Sequence, residues 1–342
     1  MRTIQRAGLA AAFVAVTFTA VAGAGGAQAA TPDKAPFTFA VIGDIPYGDD
    51  QIARFPSVVD QINADPAVSF VDHLGDIKSG SSLCSDSYIA WVRSQFDRFQ
   101  DPLVYTPGDN EWTDCHRANN GAYNPYGRLA LVRSTFFPQA GKTLGRKSVG
   151  VESQAAHGFV ENVRYNRAGV AFAVPHIVGS NNGLASWSIP QTPAERQAQV
   201  DEVAARTQAA IDLIDATFDD AESAGLTSVV IMTQADMFDP TVPDPAFADY
   251  SAFAPIVATI VDRASAFDGP VYLFNGDSHV FTTDHPLAAG SSWLSFYGVS
   301  GSAENLSRVT VDGSTGVDDY LRVSVRPDTA SVLTVEKVPF TS

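Results

Sequence analysis

The chain has 342 residues, of which 22 are Lys or Arg and 38 are Asp or Glu, so its formal charge is −16 at pH 7. An acidic surface of this kind repels nucleic acids and anionic lipids, because a phosphate polymer binds to a concentrated positive patch. The sequence contains no such patch. It therefore favours a small substrate over DNA or RNA, disfavours a nuclease, and gives no reason to expect stable insertion into a membrane.

The first 30 residues have the layout of a cleavable secretory signal. Arg2 and Arg6 precede an apolar stretch from about residue 7 to residue 22, and small residues follow as far as Ala29 and Ala30. The apolar stretch is shorter than the ~20 residues that span a bilayer, so a membrane anchor is the weaker interpretation. We expect cleavage near Ala29–Ala30 and a protein that is secreted, periplasmic or on the cell surface. Loss of the two arginines leaves 20 basic and 38 acidic residues, a formal charge of −18.

Five short apolar runs end in glycine or polar residues, and their β-rich composition predicts strands that are buried on both faces of a sheet. These runs cover residues 37–44, 68–76, 102–110, 228–236 and 270–277. Segments with helical periodicity lie between them, around residues 50–64, 86–99, 126–137, 193–224 and 251–267. This alternation predicts βαβ units in a largely parallel sheet.

The pattern changes after residue 290. Short alternating segments at 294–301, 306–313, 321–328 and 331–338 predict antiparallel strands joined by Gly and Asp turns. The sequence shows neither an internal repeat nor a convincing linker. We therefore expect residues 31–342 to form a single domain with two sheets, and we expect a monomer.

The chain contains two cysteines, Cys84 and Cys115. In an exported protein such a pair is most simply a disulfide. In the chain-entropy model, closing the loop between them would stabilise the fold by about 3–4 kcal/mol. Two buried free thiols and a metal site are the alternatives, and the metal site is weak because the spacing is not that of a CxxC motif.

Polar side chains follow each of the five buried runs. Because the carboxyl ends of parallel strands meet at one edge of an open sheet, we expect these side chains to lie close together. Carboxylates brought together repel one another unless cations or protons offset their charge, so this edge predicts a metal site. The residues are Asp44 and Tyr47, Asp76, Asp109 with Asn110 and Glu111, Gln234 with Asp236, and Asp277 with His279.

This ordered set of motifs resembles the calcineurin-like metallophosphoesterase superfamily, and the resemblance covers about residues 37–285. The motifs are GD with a nearby tyrosine at 43–47, GD at 75–76, GDNE at 108–111, glutamine at 234 and GDSH at 276–279. The resemblance implies an α/β fold in which two central mixed β-sheets are flanked by helices, a four-layer αββα sandwich. It also implies a dinuclear metal site that serves phosphoester hydrolysis.

Carried onto this chain, the family pattern implies that Asp44 and His279 hold the first metal ion and that Asp76 bridges two ions. Tyr47 would be an extra ligand, by similarity to the purple acid phosphatase branch. These donors suit iron, manganese or zinc.

The second site departs from the family pattern. The resemblance implies Asp76, Asp109, Gln234 and Asp277 as its ligands, whereas the family has an amide at the second of these positions and imidazoles at the last two. Carboxylate and amide oxygens suit magnesium, manganese and calcium. We therefore expect Mg²⁺, Mn²⁺ or Ca²⁺ at a second and weaker site.

The catalytic and substrate-binding assignments also follow from the resemblance. Asn110 stands at the position of the family's acid-catalytic histidine, but a carboxamide does not titrate. We therefore expect His116 to be the general acid or to position a phosphate, held near the metal edge by a Cys84–Cys115 bridge. Arg117 is a candidate phosphate ligand, and Lys78 is expected to be a surface charge.

The pair Asn181 and Asn182 has two interpretations. The side chains of these residues can line the substrate pocket, or the segment can be an ordinary Asn-Gly turn.

The resemblance thus implies an exported metal-dependent phosphoesterase. It would hydrolyse a small phosphate monoester or diester by attack of a metal-bridging water or hydroxide. The alternative is a catalytically impaired relative that acts as a secreted metal- or anion-binding module. The absence of histidine at positions 110, 234 and 277 favours the alternative. Retention of the four strand-end carboxylates opposes it, because a metal-free site would gain stability by losing clustered negative charge.

Overall fold

The computed structural model describes residues 35–341, so the predicted secretory signal lies outside the described residues. The strands are β1 (Phe37–Ile42), β2 (Val71–His73), β3 (Leu103–Tyr105), β4 (Glu152–Gln154), β5 (Phe159–Arg167), β6 (Val170–Val174), β7 (Ser228–Met232), β8 (Val271–Asn275), β9 (Thr282–Asp284), β10 (Leu306–Thr310), β11 (Asp319–Val325) and β12 (Leu333–Pro339). The helices are α1 (Gly48–Ala64), α2 (Asp86–Phe96), α3 (Pro125–Phe136), the one-turn segment α4 (Gly179–Asn182), α5 (Pro193–Ala224), α6 (Ala254–Ala266) and α7 (Ser292–Tyr297). The five predicted buried runs therefore contain β1, β2, β3, β7 and β8.

The strands form two mixed sheets. Within the described residues the first sheet has five strands in the order β12-β11-β1-β2-β3, and the second has seven in the order β4-β5-β6-β7-β8-β10-β9. β1, β2 and β3 run parallel, whereas β11 pairs antiparallel with β1. β6, β7, β8 and β10 are also parallel to one another.

Helices cover the outer face of each sheet, and the two inner faces pack together. Between the sheets, Phe39 of β1 contacts Phe172 of β6 and Phe274 of β8, with ring centroids 5.8 and 6.2 Å apart. Apolar side chains of α1, α2 and α3 pack on the first sheet, and those of α5 and α6 pack on the second. The expected αββα arrangement of two mixed sheets flanked by helices is confirmed.

The long helix α5 forms where the periodic apolar residues around 193–224 predict a helix. Thr192 and Glu195 form a reciprocal capping box at its start, and the backbone turns left-handed at Gly225 at its end. Its periodic apolar side chains, among them Leu213 and Phe218, are buried against the second sheet.

The strand predicted at 294–301 is wrong. Residues Ser292–Tyr297 form the short helix α7, which is capped by Ser291 and ends at the left-handed Gly298. Trp293 and Tyr297, four residues apart, both pack on the ring of Phe238, at 5.8 and 6.0 Å between centroids. The aromatic spacing follows a helical face, and the apparent alternation of polar residues concealed it.

Cys84 and Cys115 form a disulfide. It joins the loop before α2 to the 3-10 turn Thr113–His116, so it ties the segments after β2 and β3 together. Within the part of the chain that the structure describes, no helix is both long enough and apolar enough to span a bilayer.

Candidate functional site

The candidate site is formed by the loops that follow the carboxyl ends of parallel strands in both sheets. Asp44 follows β1, Asp76 follows β2, Asp109 follows β3, Gln234 follows β7 and Asp277 follows β8. The carboxyl ends of parallel strands share one edge, so the polar residues of both sheets converge there.

Two groups of side chains can each hold a metal ion. In the first triad one ligand atom of each of Asp44, Asp76 and His279 lies within 4.8 Å of the others, and the same holds for Asp76, Asp109 and Asp277 in the second triad. Asp76 belongs to both triads, which is the position of a bridging ligand. Asp44, Asp76 and Asp109 are buried, whereas Asp277 and His279 are partly buried.

The acids of the two triads are electrostatically unfavourable without a cation. Burial and the neighbouring charges of Asp109, Glu111, Asp44 and Asp277 raise the pKa of Asp76 well above its usual range. Burial, followed by the charges of Asp109 and Asp44, does the same to the pKa of Asp277. A divalent cation would offset this repulsion, so the donor set fits two such ions.

Four of the candidate ligands have a left-handed backbone, which residues with side chains rarely adopt. The φ angles are 54° at Asp44 and at Asp76, 73° at Asp277 and 63° at His279. Such conformations cost free energy and persist where the surrounding structure enforces them, most often at functional sites.

Two glycines allow the backbone to approach the carboxylates closely. A Cβ on Gly179 would lie 2.7 Å from Oδ2 of Asp109 and 2.8 Å from Oδ2 of Asp277. A Cβ on Gly108 would overlap Oδ1 of Asp76. A side chain at either position would displace a candidate ligand, so glycine is required there.

Tyr47 lies beside the first triad. Its Oη donates to Oδ2 of Asp76 at 2.9 Å, and its ring meets the His279 ring edge-on with centroids 5.4 Å apart. Nε2 of His279 is 3.4 Å from Oδ1 of Asp44. The phenol therefore contacts the shared carboxylate in this structure, and the ligand role implied by the resemblance stays a prediction.

Gln234 lies beside the second triad, but its side-chain oxygen already has a partner. Its Oε1 accepts a 2.7 Å hydrogen bond from the backbone nitrogen of Gly179, and its Nε2 donates to Oδ1 of Asp109 at 3.4 Å. Gln234 therefore contacts Asp109 through its amide nitrogen, and it would have to exchange partners to become the predicted oxygen ligand.

Asn110 is part of the site, although it cannot titrate. Its Nδ2 donates to Oδ2 of Asp76 at 2.6 Å and to Oη of Tyr47 at 2.7 Å. Its backbone nitrogen donates to the other oxygen of Asp76 at 3.1 Å. Asn110 thus orients the carboxylate that the two triads share.

His116 does not contact the triads. Its Nδ1 accepts a 2.9 Å hydrogen bond from the backbone nitrogen of Ser188, and its ring stacks on Trp187. Burial and the charge of Arg117 lower its pKa, which opposes the cationic form. The disulfide fixes this turn as expected, but the predicted general acid is directed towards Ser188 and Trp187.

The side chains of Asn181 and Asn182 bind other parts of the chain. Asn181 accepts from the backbone nitrogen of Ala252 at 2.9 Å and donates to the carbonyl of Ala248 at 2.8 Å. Asn182 is fully buried, and its Oδ1 accepts from the guanidinium of Arg206. Both amides are therefore committed to internal contacts, which differs from the pocket-lining interpretation.

Two basic residues of these loops differ in burial. Arg117 is partly exposed and pairs with Oδ2 of Asp114 at 2.6 Å. A Cβ added to Gly80 would lie 2.6 Å from Oδ1 of Asn110 and 3.3 Å from Nη1 of Arg117, so the guanidinium lies next to the site.

Lys78 is not the surface charge that was expected. It is 1% exposed, and its Nζ donates to the carbonyl of Asn110 at 2.9 Å. Burial lowers its pKa to about 8.

Glu111 and Ser180 have structural roles that the motifs alone did not reveal. Oε1 of Glu111 accepts from Tyr105 Oη at 2.7 Å and from the backbone nitrogens of Gly108 at 2.6 Å and Asp76 at 3.2 Å, which joins the loops after β2 and β3. The hydroxyl of Ser180 reaches Asp109. Glu111 could have been identified from its place in GDNE, whereas Ser180 has no comparable sequence signal.

Residues 37–171 match the family model of the calcineurin-like phosphoesterases. No curated protein matches the chain.

Two solved structures with low sequence identity resemble the chain over most of its length. One is GAP50, the anchor in the inner membrane complex of Plasmodium, with 9% identity, a TM-score of 0.43 and coverage of 90% of both chains. The other is the Haemophilus influenzae NAD nucleotidase NadN, with 10% identity and a TM-score of 0.43. That match covers 89% of this chain and 50% of NadN, so this chain spans about half the length of NadN. The family model confirms the resemblance to the calcineurin-like phosphoesterases for residues 37–171, and the two mixed sheets flanked by helices are consistent with the fold of that family.

Proposed function

We propose that the protein is an exported, metal-dependent phosphoesterase that hydrolyses a small phosphate monoester or diester. The observation that carries the proposal is the position of Asp76, whose carboxylate belongs to two adjacent triads of metal-binding side chains. A shared carboxylate is the arrangement that holds two cations close enough to act on one phosphoryl group.

The first triad would hold one ion through Asp44, Asp76 and His279, and it suits iron, manganese or zinc. The second would hold the other through Asp76, Asp109 and Asp277, and its all-oxygen donor set suits Mg²⁺, Mn²⁺ or Ca²⁺. Two ions bound there would supply a nucleophile at neutral pH and would stabilise the charge on the phosphoryl group.

Three of the protein's own side chains have two tasks in this proposal. Asn110 and Tyr47 hold the shared carboxylate of Asp76 in one orientation through hydrogen bonds of 2.6 and 2.9 Å. Arg117, which lies next to Asn110, is the cationic group that would bind a phosphate oxygen, after partial release from Asp114.

The leaving group receives little help from a protonated side chain. Asn110 cannot titrate, and the ring of His116 is bound to Ser188 and stacked on Trp187. We therefore propose that esters with acidic leaving groups, such as aryl phosphates, react much faster than alkyl esters.

Export is supported by the composition of residues 1–30 and by the disulfide between Cys84 and Cys115. Disulfides persist mainly in oxidising compartments outside the cytosol. Secretion, or retention in a periplasm or at the cell surface, is therefore the proposed location.

Two experiments test the proposal. The first is metal analysis of the purified protein, and the second is an assay on aryl phosphate monoesters and diesters with Mn²⁺, Mg²⁺, Ca²⁺ or Zn²⁺ added back. We expect metal-dependent turnover that Asp76→Asn abolishes. Asp72→Asn changes a buried acid on the preceding strand outside both triads, so it is the matched control. A protein that binds none of these ions and turns over neither ester class would overturn the proposal.

The second candidate function is a secreted metal- or anion-binding module without catalysis. Gln234 favours it, because the oxygen that would complete the second site is bound to the nitrogen of Gly179. Binding of metal without turnover on any ester in the same assays would favour this candidate.

A further inference from the structure

The turn that follows β6 has an unusual backbone. Ser180, Asn181 and Asn182 are three successive residues with positive φ angles of 52°, 56° and 51°. Left-handed residues normally occur singly, and serine adopts this conformation less readily than asparagine or glycine. Three in a row persist only if the contacts of the turn enforce them.

Each residue of this turn is held by a different part of the protein. The nitrogen of Gly179 donates to Gln234 at 2.7 Å, and Asn181 is bonded to the backbone of Ala248 and Ala252. Asn182 is buried and bonded to Arg206 and Thr207 of α5. The turn is therefore anchored on three sides, and its remaining side chain faces the metal edge.

That remaining side chain is Ser180, and it touches a candidate ligand. Its Oγ lies 2.9 Å from Oδ2 of Asp109 and 2.8 Å from Oδ1 of Asp114. A hydroxyl has one proton to donate, so it can donate to only one of these two carboxyl groups at a time. The guanidinium of Arg117 lies 2.6 Å from Oδ2 of Asp114 and already offsets the charge of that carboxyl group, so the proton of the hydroxyl is available to Asp109.

We propose that Ser180 is a positioning residue for the second metal site and fixes the carboxylate of Asp109 towards the ion. The inference rests on the proposed metal site. The strained turn is the device that brings the hydroxyl to Asp109, and the contacts of Asn181 and Asn182 enforce it. Partners that orient a ligand commonly contribute 10- to 100-fold to metal affinity.

This role can be tested by titrating the metal-free protein with Mn²⁺ and measuring binding by calorimetry and by electron paramagnetic resonance. We expect Ser180→Ala to weaken the second Mn²⁺ by about 10- to 100-fold and to leave the first within about threefold. The signal of a coupled Mn²⁺ pair should be lost at concentrations where the wild type shows it.

Two further variants separate the hydroxyl from the backbone conformation. Ser180→Gly removes the hydroxyl and relieves the strain, so it should weaken the second ion as much as Ser180→Ala while raising thermal stability. Ser314 also has a left-handed backbone, with φ 68°, and its hydrogen bonds to Asp44 and Gln51 use its backbone nitrogen and carbonyl. Ser314→Ala is therefore the matched control and should bind the second ion as the wild type does.

The outcomes distinguish this inference from the proposed function. If the wild type binds two ions and Ser180→Ala binds both as tightly, the inference is overturned, whatever the turnover. If the wild type hydrolyses aryl phosphates with a single bound ion, the inference fails and the proposed function stands. If two ions bind, Ser180→Ala weakens the second and no ester is hydrolysed, the inference stands and the proposed function fails.

Discussion

Tyr47 donates a 2.9 Å hydrogen bond to Oδ2 of Asp76, the carboxylate that both metal-binding triads share. This contact orients the carboxylate that would bridge the two ions. We therefore expect Tyr47→Phe to lower the affinity for both ions by about 10-fold. Calorimetric titration with Mn²⁺ measures this. Tyr88→Phe is the control, since its hydroxyl donates to the carbonyl of Ile77 at 2.8 Å. Weakening of the first ion alone would indicate that Tyr47 is a direct ligand instead.

Asp277→Asn should raise the thermal stability of the metal-free protein and lower that of the metal-bound protein. Burial and the charges of Asp109 and Asp44 raise the pKa of Asp277, so the free carboxyl destabilises the fold increasingly as pH rises above about 4. The amide avoids this cost, so the melting temperature of the chelated variant should exceed that of the wild type at pH 7.

With Mn²⁺ present the wild type should have the higher melting temperature. The variant lacks an anionic ligand of the second ion, whereas the ligands of the first ion are unchanged. Thermal melts with and without Mn²⁺, at pH 5 and pH 7, measure both effects. An unchanged affinity for the second ion would exclude Asp277 as its ligand.

His116→Ala separates the two proposals for the leaving group. The structure directs His116 to Ser188 and Trp187, so we expect turnover of both aryl and alkyl phosphates to remain within about threefold of the wild type. Steady-state kinetics over a series of leaving groups measures it. A loss of about 100-fold or more that is confined to poor leaving groups would show that His116 is the general acid after all.

Removal of the disulfide should affect both stability and the site. The bridge closes a loop with a sequence separation of 31 residues, so Cys84→Ser with Cys115→Ser should reduce the free energy of unfolding by about 3–4 kcal/mol. The two sulfurs lie 3.5 and 3.7 Å from the carbonyl oxygen of Asn110, so the variant should also bind Mn²⁺ less tightly.

Urea unfolding and metal titration of the double variant measure these two effects. Wild-type metal affinity in a destabilised variant would mean that Lys78, which binds the same carbonyl of Asn110, holds that loop without the bridge.

Asp72 should make stability depend on pH independently of the metal site. It is buried between the sheets, Oδ1 accepts from Tyr165 at 3.3 Å, and Oδ2 has no hydrogen-bond partner among the described residues. Burial raises its pKa to about 8. The folded state therefore keeps a proton that the unfolded state releases near pH 4, so this stability is full below pH 4 and is lost as pH rises towards 8.

Asp72→Asn removes this dependence, because an amide does not titrate. Between pH 5 and pH 8 the free energy of unfolding of the variant should fall by about 2–4 kcal/mol less than that of the wild type. Urea unfolding of chelated protein at both values measures the difference. Parallel curves would show that Asp72 is already ionised in the fold.

The sequence predicts the buried strands, which are continuous apolar runs, and the polar residues at their carboxyl ends. β1 and β8 were found because buried strands are continuous apolar runs, and Asp44 and Asp277 were found because they follow those runs. Helix α7 was missed because its six residues are too few for a helical period to stand out.

The contacts of buried polar groups could not be predicted, since they depend on segments distant in the chain. Lys78 is buried because the carbonyl of Asn110 accepts from it, and Ser180 reaches Asp109 across 71 positions. The sequence leaves two interpretations for Asn181 and Asn182, because nothing in it shows which way a left-handed turn directs its side chains.

The pairing of β1 with β11 also determines when the protein can fold. β1 lies between β11 and β2, so the first sheet is incomplete until residues Asp319–Val325 are available, although the family match ends at residue 171. A fragment that ends there would carry Asp44, Asp76 and Asp109 but neither Asp277 nor His279. Closing so long a loop is entropically costly and slow. During synthesis, neither the sheet nor a complete ligand set can form until nearly the whole chain has emerged, so metal can stabilise only the finished fold.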